Sequence, residues 1–173
     1  MIEKQINQQI RERFASANSV AVIAHIRPDG DAIGSVLGLG TALKDAGKDV
    51  QFILEDGASA AFKDLANFKK IKKKLKSPVD VTVVVDCSDL ERTGSVLNGL
   101  PVDINIDHHP TNTMFGAINC VQHKAAATAE IITECIEDWG LDLTATVAEA
   151  LIAGMITDTI GFRTSNVGGE TLK

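Results

Sequence analysis

The chain has 173 residues, 45% hydrophobic and 23% charged, which suits one globular domain whose core needs neither disulfides nor a structural metal. Its net charge of −6 removes the basic face on which duplex binding depends, so an anionic substrate would need metal ions or local arginines. Tyrosine is absent, Trp139 is the single tryptophan, no apolar run reaches membrane-spanning length and the amino terminus lacks a signal-peptide layout, so strand stacking, a membrane partner and secretion are all unsupported.

Ile2, Ile6, Ile10 and Phe14 recur every four residues and predict an opening amphipathic helix. Val20 to Ala24 reads as a strand buried on both faces and ends at His25. Arg27-Pro28-Asp29-Gly30-Asp31 then turns the chain into a helix stopped by Gly47, and Val50 to Leu54 is the next strand. Ala60 to Phe68 suggests a short helix. Lys69 to Lys76 reads as a solvated helix face over the pair Ile71 and Leu75, a grip on phosphates being the alternative. Val81 to Val85 delivers Asp86 at its carboxyl end, and Val102 to Ile106 delivers Asp107-His108-His109. Ile118 to Val121 is a further strand. Helices are expected over Ala125 to Trp139 and, capped by Thr144, over Thr144 to Ile156 before Thr157-Asp158-Thr159. Cys87, Cys120 and Cys135 form no C-x-x-C pair and read as reduced, semi-buried thiols of a cytoplasmic protein.

This alternation predicts an α/β fold: a doubly wound, mainly parallel sheet with helices on both faces, whose ligands bind outside the carboxyl ends of the strands. Four polar clusters fall there or just past a helix: His25 with Asp29 and Asp31, Asp86, Asp107 with His108 and His109, and Asp158. Singly, each has an ordinary reading as a turn, a cap, a strand end or a core histidine. Together they gather carboxylates at one sheet edge with no run of cations to neutralise them, which divalent metals would resolve. Asp29 and Asp31 flank one glycine and can diverge to two ions, with Asp86 the natural bridge. Imidazole and carboxylate donors without thiolate favour Mn²⁺, with Mg²⁺ or Co²⁺ able to substitute. Two ions about 3.5 to 4 Å apart share a hydroxide and clamp a phosphoryl group, so phosphoester hydrolysis is expected.

His25-Ile26-Arg27-Pro28-Asp29-Gly30-Asp31-Ala32, Val85-Asp86-Cys87-Ser88-Asp89, Asp107-His108-His109 and Thr157-Asp158-Thr159 resemble, in order, the four signature motifs of the DHH phosphoesterase superfamily. The resemblance implies a two-manganese site, with His25, Asp29 and Asp86 on one ion and Asp31, Asp86, His108 and Asp158 on the other. It also implies that His109 contacts the substrate phosphate and serves as general acid. Asp107 is then expected to orient its neighbours from behind the ligands. Arg92-Thr93-Gly94, Ala126-Ala127-Thr128-Ala129-Glu130 and Gly161-Phe162-Arg163 resemble the branch that degrades very short oligoribonucleotides (nano-RNases) and dephosphorylates 3′-phosphoadenosine 5′-phosphate. Arg92 and Arg163 become candidate phosphate contacts, with solvated loop ion pairs as the alternative.

The implied partners are short RNA or a nucleotide phosphate, without duplex DNA or membrane, and a homodimer is one assembly open to the chain. Residues 1–166 are expected to be the catalytic domain. Residues 167–173 would begin a linker to a second, substrate-binding domain whose glycine- and histidine-rich motif this sequence does not contain. A cyclic-dinucleotide phosphodiesterase and an inorganic pyrophosphatase share the implied metal ligands and stay as alternatives. So does a metal- and nucleotide-binding module with little turnover.

Overall fold

The computed structural model describes residues 2–169 and 171–172. Four α-helices and five strands follow in the order α1 (Lys4–Ser16), β1 (Ser19–Ile23), α2 (Gly30–Asp45), β2 (Asp49–Ile53), β3 (Val81–Val85), β4 (Ile104–Asp107), β5 (Ile118–Val121), α3 (Thr128–Cys135) and α4 (Ala145–Asp158). All strand pairings are parallel, in the order β2-β1-β3-β4-β5, so the α/β parallel sheet is as the alternating pattern predicts. Its strands are short apolar runs, and all five residues of β3 are buried.

The two faces are dressed unequally. Apolar side chains of all four helices join one core with Val20, Val22, Phe52, Val83, Val85 and Ile106. The opposite face, with Ala21, Ile23, Ile53 and Val84, is covered by Val96, Leu97 and Val102 from the β3–β4 connection, and among the described residues no α-helical one joins that core. A single 3₁₀ turn, Glu91–Thr93, lies in that connection.

The segment after β2 departs most from the reading by pattern. Ala60 to Phe68 forms not a helix but a 3₁₀ turn at Ala60–Phe62, and a second follows at Phe68–Lys70. Lys69 to Lys76 is likewise no helix. The Lys72 amide donates to the Phe52 carbonyl at 2.8 Å and the Leu54 amide to the Lys72 carbonyl at 3.0 Å, so this stretch lies along the free edge of β2. An unpaired strand edge satisfied by a neighbour outweighs the weak helical spacing of Ile71 and Leu75.

Further along, α3 is shorter than expected at its start, because Ala125 and Ala126 form a bend and Ala127 is extended, but hydrogen-bonded turns continue it to Gly140. Trp139 is buried there, edge-on to Phe14 at 6.2 Å, and its indole donates to Asn7. All three cysteines are buried rather than semi-buried. Val167 and Gly168 are irregular, and Gly169, Thr171 and Leu172 lie in turns; Glu170 and Lys173 of the expected linker lie outside the described residues.

Candidate metal centre

Strand register assembles the site. Ile23 pairs with Val84 and Val85 with Ile106, so the residues that follow, His25, Asp86 and Asp107, end β1, β3 and β4 at one level of the sheet. Asp86 has φ 53°, in the left-handed region that costs a non-glycine residue about 1–3 kcal/mol and occurs where surrounding structure enforces it. Its amide donates to the Ile106 carbonyl at 2.9 Å, and its Oδ1 accepts from the Thr128 hydroxyl at 3.0 Å.

The second half comes from two helix ends. Asp29 caps α2, its Oδ1 accepting from the Ala32 amide at 3.0 Å, which leaves Oδ2 facing the site. Asp31 is buried one residue into that helix and Asp158 ends α4. The two helices approach closely because α2 presents glycines every four residues. A Cβ on Gly30 would lie 2.1 Å from Thr157 Oγ1, and one on Gly34 would lie 2.6 Å from the Ala150 carbonyl and 2.8 Å from Gly154.

These elements bring seven of the expected residues together around Asp86. His25 Nε2 lies 3.6 Å from Asp86 Oδ2 and 3.8 Å from Asp29 Oδ2. His108 Nε2 lies 3.7 Å from Asp86 Oδ1 and 3.8 Å from Asp158 Oδ2. His25, Asp29 and Asp86 form one group with donor atoms within 4.8 Å of one another, and Asp31, His108 and Asp158 form a second. His25 Nδ1 donates to the Ile26 carbonyl at 2.8 Å and His108 Nδ1 faces the Ala125 carbonyl at 3.3 Å, which turns both Nε2 lone pairs inward.

His109 is placed differently. Its Nδ1 donates to Asp107 Oδ1 at 2.7 Å, so its Nε2 stays open, and the side chain is one-third exposed. Asp107, fully buried, also accepts from the Asn112 amide at 2.7 Å. Burial pushes the Asp107 pKa up, but the bonds from His109 and Asn112 outweigh it and hold the carboxyl below its usual range. The same bond raises His109, against burial.

The electrostatics show what the cluster lacks. Asp31 and Asp86 are each only 1% exposed, and among the described residues Arg13–Asp103 is the one ion pair that a lysine or arginine makes. Burial, then the charge of Asp86, drives Asp31 well above its ordinary value; burial, then Asp86 and Asp29, raises Asp158 against the pull of His108. Burial lowers the His25 pKa, yet Asp29 and Asp86 override it and push it up to about 10. Carboxylates this close hold their charges only beside cations, and two inward imidazoles with four carboxylates are the donor set of hard to borderline divalent ions. The residues therefore fit two such ions.

Arg92 sits half-exposed in the 3₁₀ turn, where its charge opposes protonation of His109. Arg163 is exposed, its Nε donating to the Ile160 carbonyl at 2.9 Å, which turns it toward its own loop. Two contributors were given no site role by sequence, Thr128 having entered only within the Ala126–Glu130 motif. Thr128 donates its amide to Asp31 Oδ2 at 2.6 Å and its hydroxyl to Asp86, joining both buried carboxylates, and Ala129 adds an amide to Asp31 at 3.0 Å. Asn112 also holds the Cys87 carbonyl at 3.1 Å, locking the β3 and β4 ends together. A threonine opening an apolar helix was the available signal for the first; nothing marked the second.

The profile of the DHH family, N-terminal domain, matches residues 19–155. The chain is 34% identical over 157 residues to the bifunctional oligoribonuclease and PAP phosphatase NrnA of Thermus thermophilus, an overlap of 89% of this chain and 47% of that protein. It is 26% identical over 161 residues to the protein of the same name from Bacillus subtilis, covering 90% of this chain and 51% of that one. Among solved structures, an exopolyphosphatase-related protein from Bacteroides fragilis superposes with a TM-score of 0.91 at 27% identity, over 99% of this chain and 55% of that one. The chain thus spans about half the length of the relatives it matches.

Proposed function

The chain belongs to the DHH family, and on that premise we propose that residues 1–166 are the catalytic domain of a two-metal phosphoesterase acting on short oligoribonucleotides or 3′-phosphoadenosine 5′-phosphate. The observation that carries the reading is Asp86, one buried carboxylate whose two oxygens face His25 on one side and His108 on the other. His25, Asp29 and Asp86 would hold one ion, and Asp31, Asp86, His108 and Asp158 the other, with Mn²⁺ preferred over Mg²⁺ or Co²⁺ by the donor set. When bound, such ions supply Lewis-acid polarisation of phosphoryl oxygens and lower the pKa of water.

The chain's own residues do the rest. Asp107 fixes the His109 ring through Nδ1, so that Nε2 presents its proton to the departing oxygen. Asn112 holds Asp107 ionised and in plane, and Thr128 keeps Asp31 and Asp86 from swinging apart. Arg92, whose charge is felt by His109, would meet a substrate phosphate, and Arg163 would do so only by leaving Ile160. A second domain is proposed to hold the substrate's base, and the cytoplasm is the proposed setting.

The test is Mn²⁺-dependent hydrolysis of a chromogenic phosphodiester beside a labelled diribonucleotide, a cyclic dinucleotide and pyrophosphate, with and without chelator. Chelator-sensitive turnover that disappears in Asp86→Ala, together with its bound Mn²⁺, is expected. Full metal content in that variant would sink the ligand assignment. Metal binding without turnover of any substrate would favour a binding module, and preference for a cyclic dinucleotide or pyrophosphate would move the substrate within the class.

A further inference from the structure

Six of the eight residues from Lys69 to Lys76 are lysines, and all six are exposed. In a chain of net charge −6, this is a concentrated block of positive surface. No lysine among the described residues makes an ion pair with a carboxylate. Of the acids that flank the block in sequence, Asp64 and Asp80, neither pairs with a lysine, and Asp80 is occupied by the Asn18 and Ser19 amides at 2.8 and 2.9 Å. Further off, Glu55 accepts from the Ser95 amide at 3.0 Å and Asp56 from the Arg27 amide at 2.7 Å.

The block is also fixed in place. Lys72 is bridged to Ile53 at the carboxyl end of β2, and Ile53 is in register with Ile23, two residues before His25. Lys72 is therefore two strand spacings, roughly 10 Å, to the side of β1, whose end carries the site. Beyond it, Lys74 and Lys76 rim a cavity of about 570 Å³ shared with Ser77, Ser95 and Asn98.

We propose that this lysine edge is a phosphate track for single-stranded RNA, gripping the backbone of a strand whose end lies in the metal centre. The inference rests on the proposed phosphoesterase reading and deepens its substrate class from dinucleotides toward longer oligoribonucleotides. The grip is electrostatic, because no tyrosine and no exposed tryptophan offers a stacking platform. Ammonium groups along a free edge suit a flexible strand, whereas a duplex would need a broad basic face that an acidic protein lacks.

The test measures binding of a labelled single-stranded RNA of about ten nucleotides to the full chain, in chelator, by fluorescence anisotropy between roughly 50 and 200 mM salt. The double variant Lys72→Gln/Lys74→Gln is compared with Lys4→Gln/Arg11→Gln, which removes equal charge from α1. The first should weaken binding about tenfold and flatten the logarithmic salt dependence by about 0.7 per phosphate released, and the second should change affinity less than about twofold. Equal losses in both variants, or unchanged affinity in the first, would overturn the track. Displacement of the RNA by poly-glutamate at matched charge concentration would also overturn it, in favour of an acidic protein partner. Dinucleotide hydrolysis by the unaltered chain is assayed separately with Mn²⁺, so failure of the reaction is distinguishable from failure of the track.

Discussion

Asp107, His108 and His109 are neighbours in sequence with three different positions. Asp107 is buried at the end of β4, His108 turns Nε2 toward Asp86 and Asp158, and His109 spends its Nδ1 on Asp107. Unequal damage should follow. His108→Ala is expected to lose bound Mn²⁺ by elemental analysis, whereas His109→Ala should keep its metal and lose about 10²- to 10⁴-fold in kcat. Asn112 supplies a finer probe, since it reaches the site through Asp107 while its other bonds, to the Cys87 carbonyl, Asn105 and the Met114 amide, are structural. Asn112→Ala should cost about 10- to 100-fold on a nucleotide leaving group and much less on a nitrophenolate, which departs without a proton. Equal losses on both would mean that Asn112 merely holds the fold.

Between elements, the decisive contact is α2 against α4. Asp31 and Asp158 reach a common site because Gly30, Gly34 and Gly38 let the helices meet nearly backbone to backbone, with Leu151 filling the space at Gly38. Gly34→Val should cost about 1–3 kcal/mol in urea unfolding, by overpacking, and lower Mn²⁺ affinity as the two carboxylates separate. Unaltered metal affinity at reduced stability would show that the ligands are positioned independently of this crossing. The same reasoning explains the loop-covered sheet face, where the β3–β4 connection supplies Val96, Leu97 and Val102 to do the work of a helix.

For the molecule as a whole, the buried pair Asp31 and Asp86 couples metal to stability. Two carboxylates at 1% exposure repel in the free chain, and cations between them would attract both and offset that repulsion. Mn²⁺ at about a hundred times its Kd should add about 2.7 kcal/mol, or roughly 5–10 °C in Tm, reversed by chelator. Asp86→Asn should abolish that response; an unchanged shift in the variant would place the bound metal elsewhere. The β-runs ending in His25, Asp86 and Asp107 were legible by themselves, because a strand buried on both faces must be apolar and its first polar residue marks the ligand-binding edge. So were the ends of α2 and α4, where turn residues and caps act over a few neighbours. Sequence also misdirected: the Ile71 and Leu75 spacing suggested a helix where the free edge of β2 captures the chain. What only the tertiary structure decided is register and proximity. Pairing of Val85 with Ile106 levels Asp86 with Asp107, glycine contacts seat Asp158 near Asp31, and Thr128 and Asn112 reach carboxylates 42 and 5 residues away. Such partners are chosen by how surfaces fit across the core, which no local pattern of residues encodes.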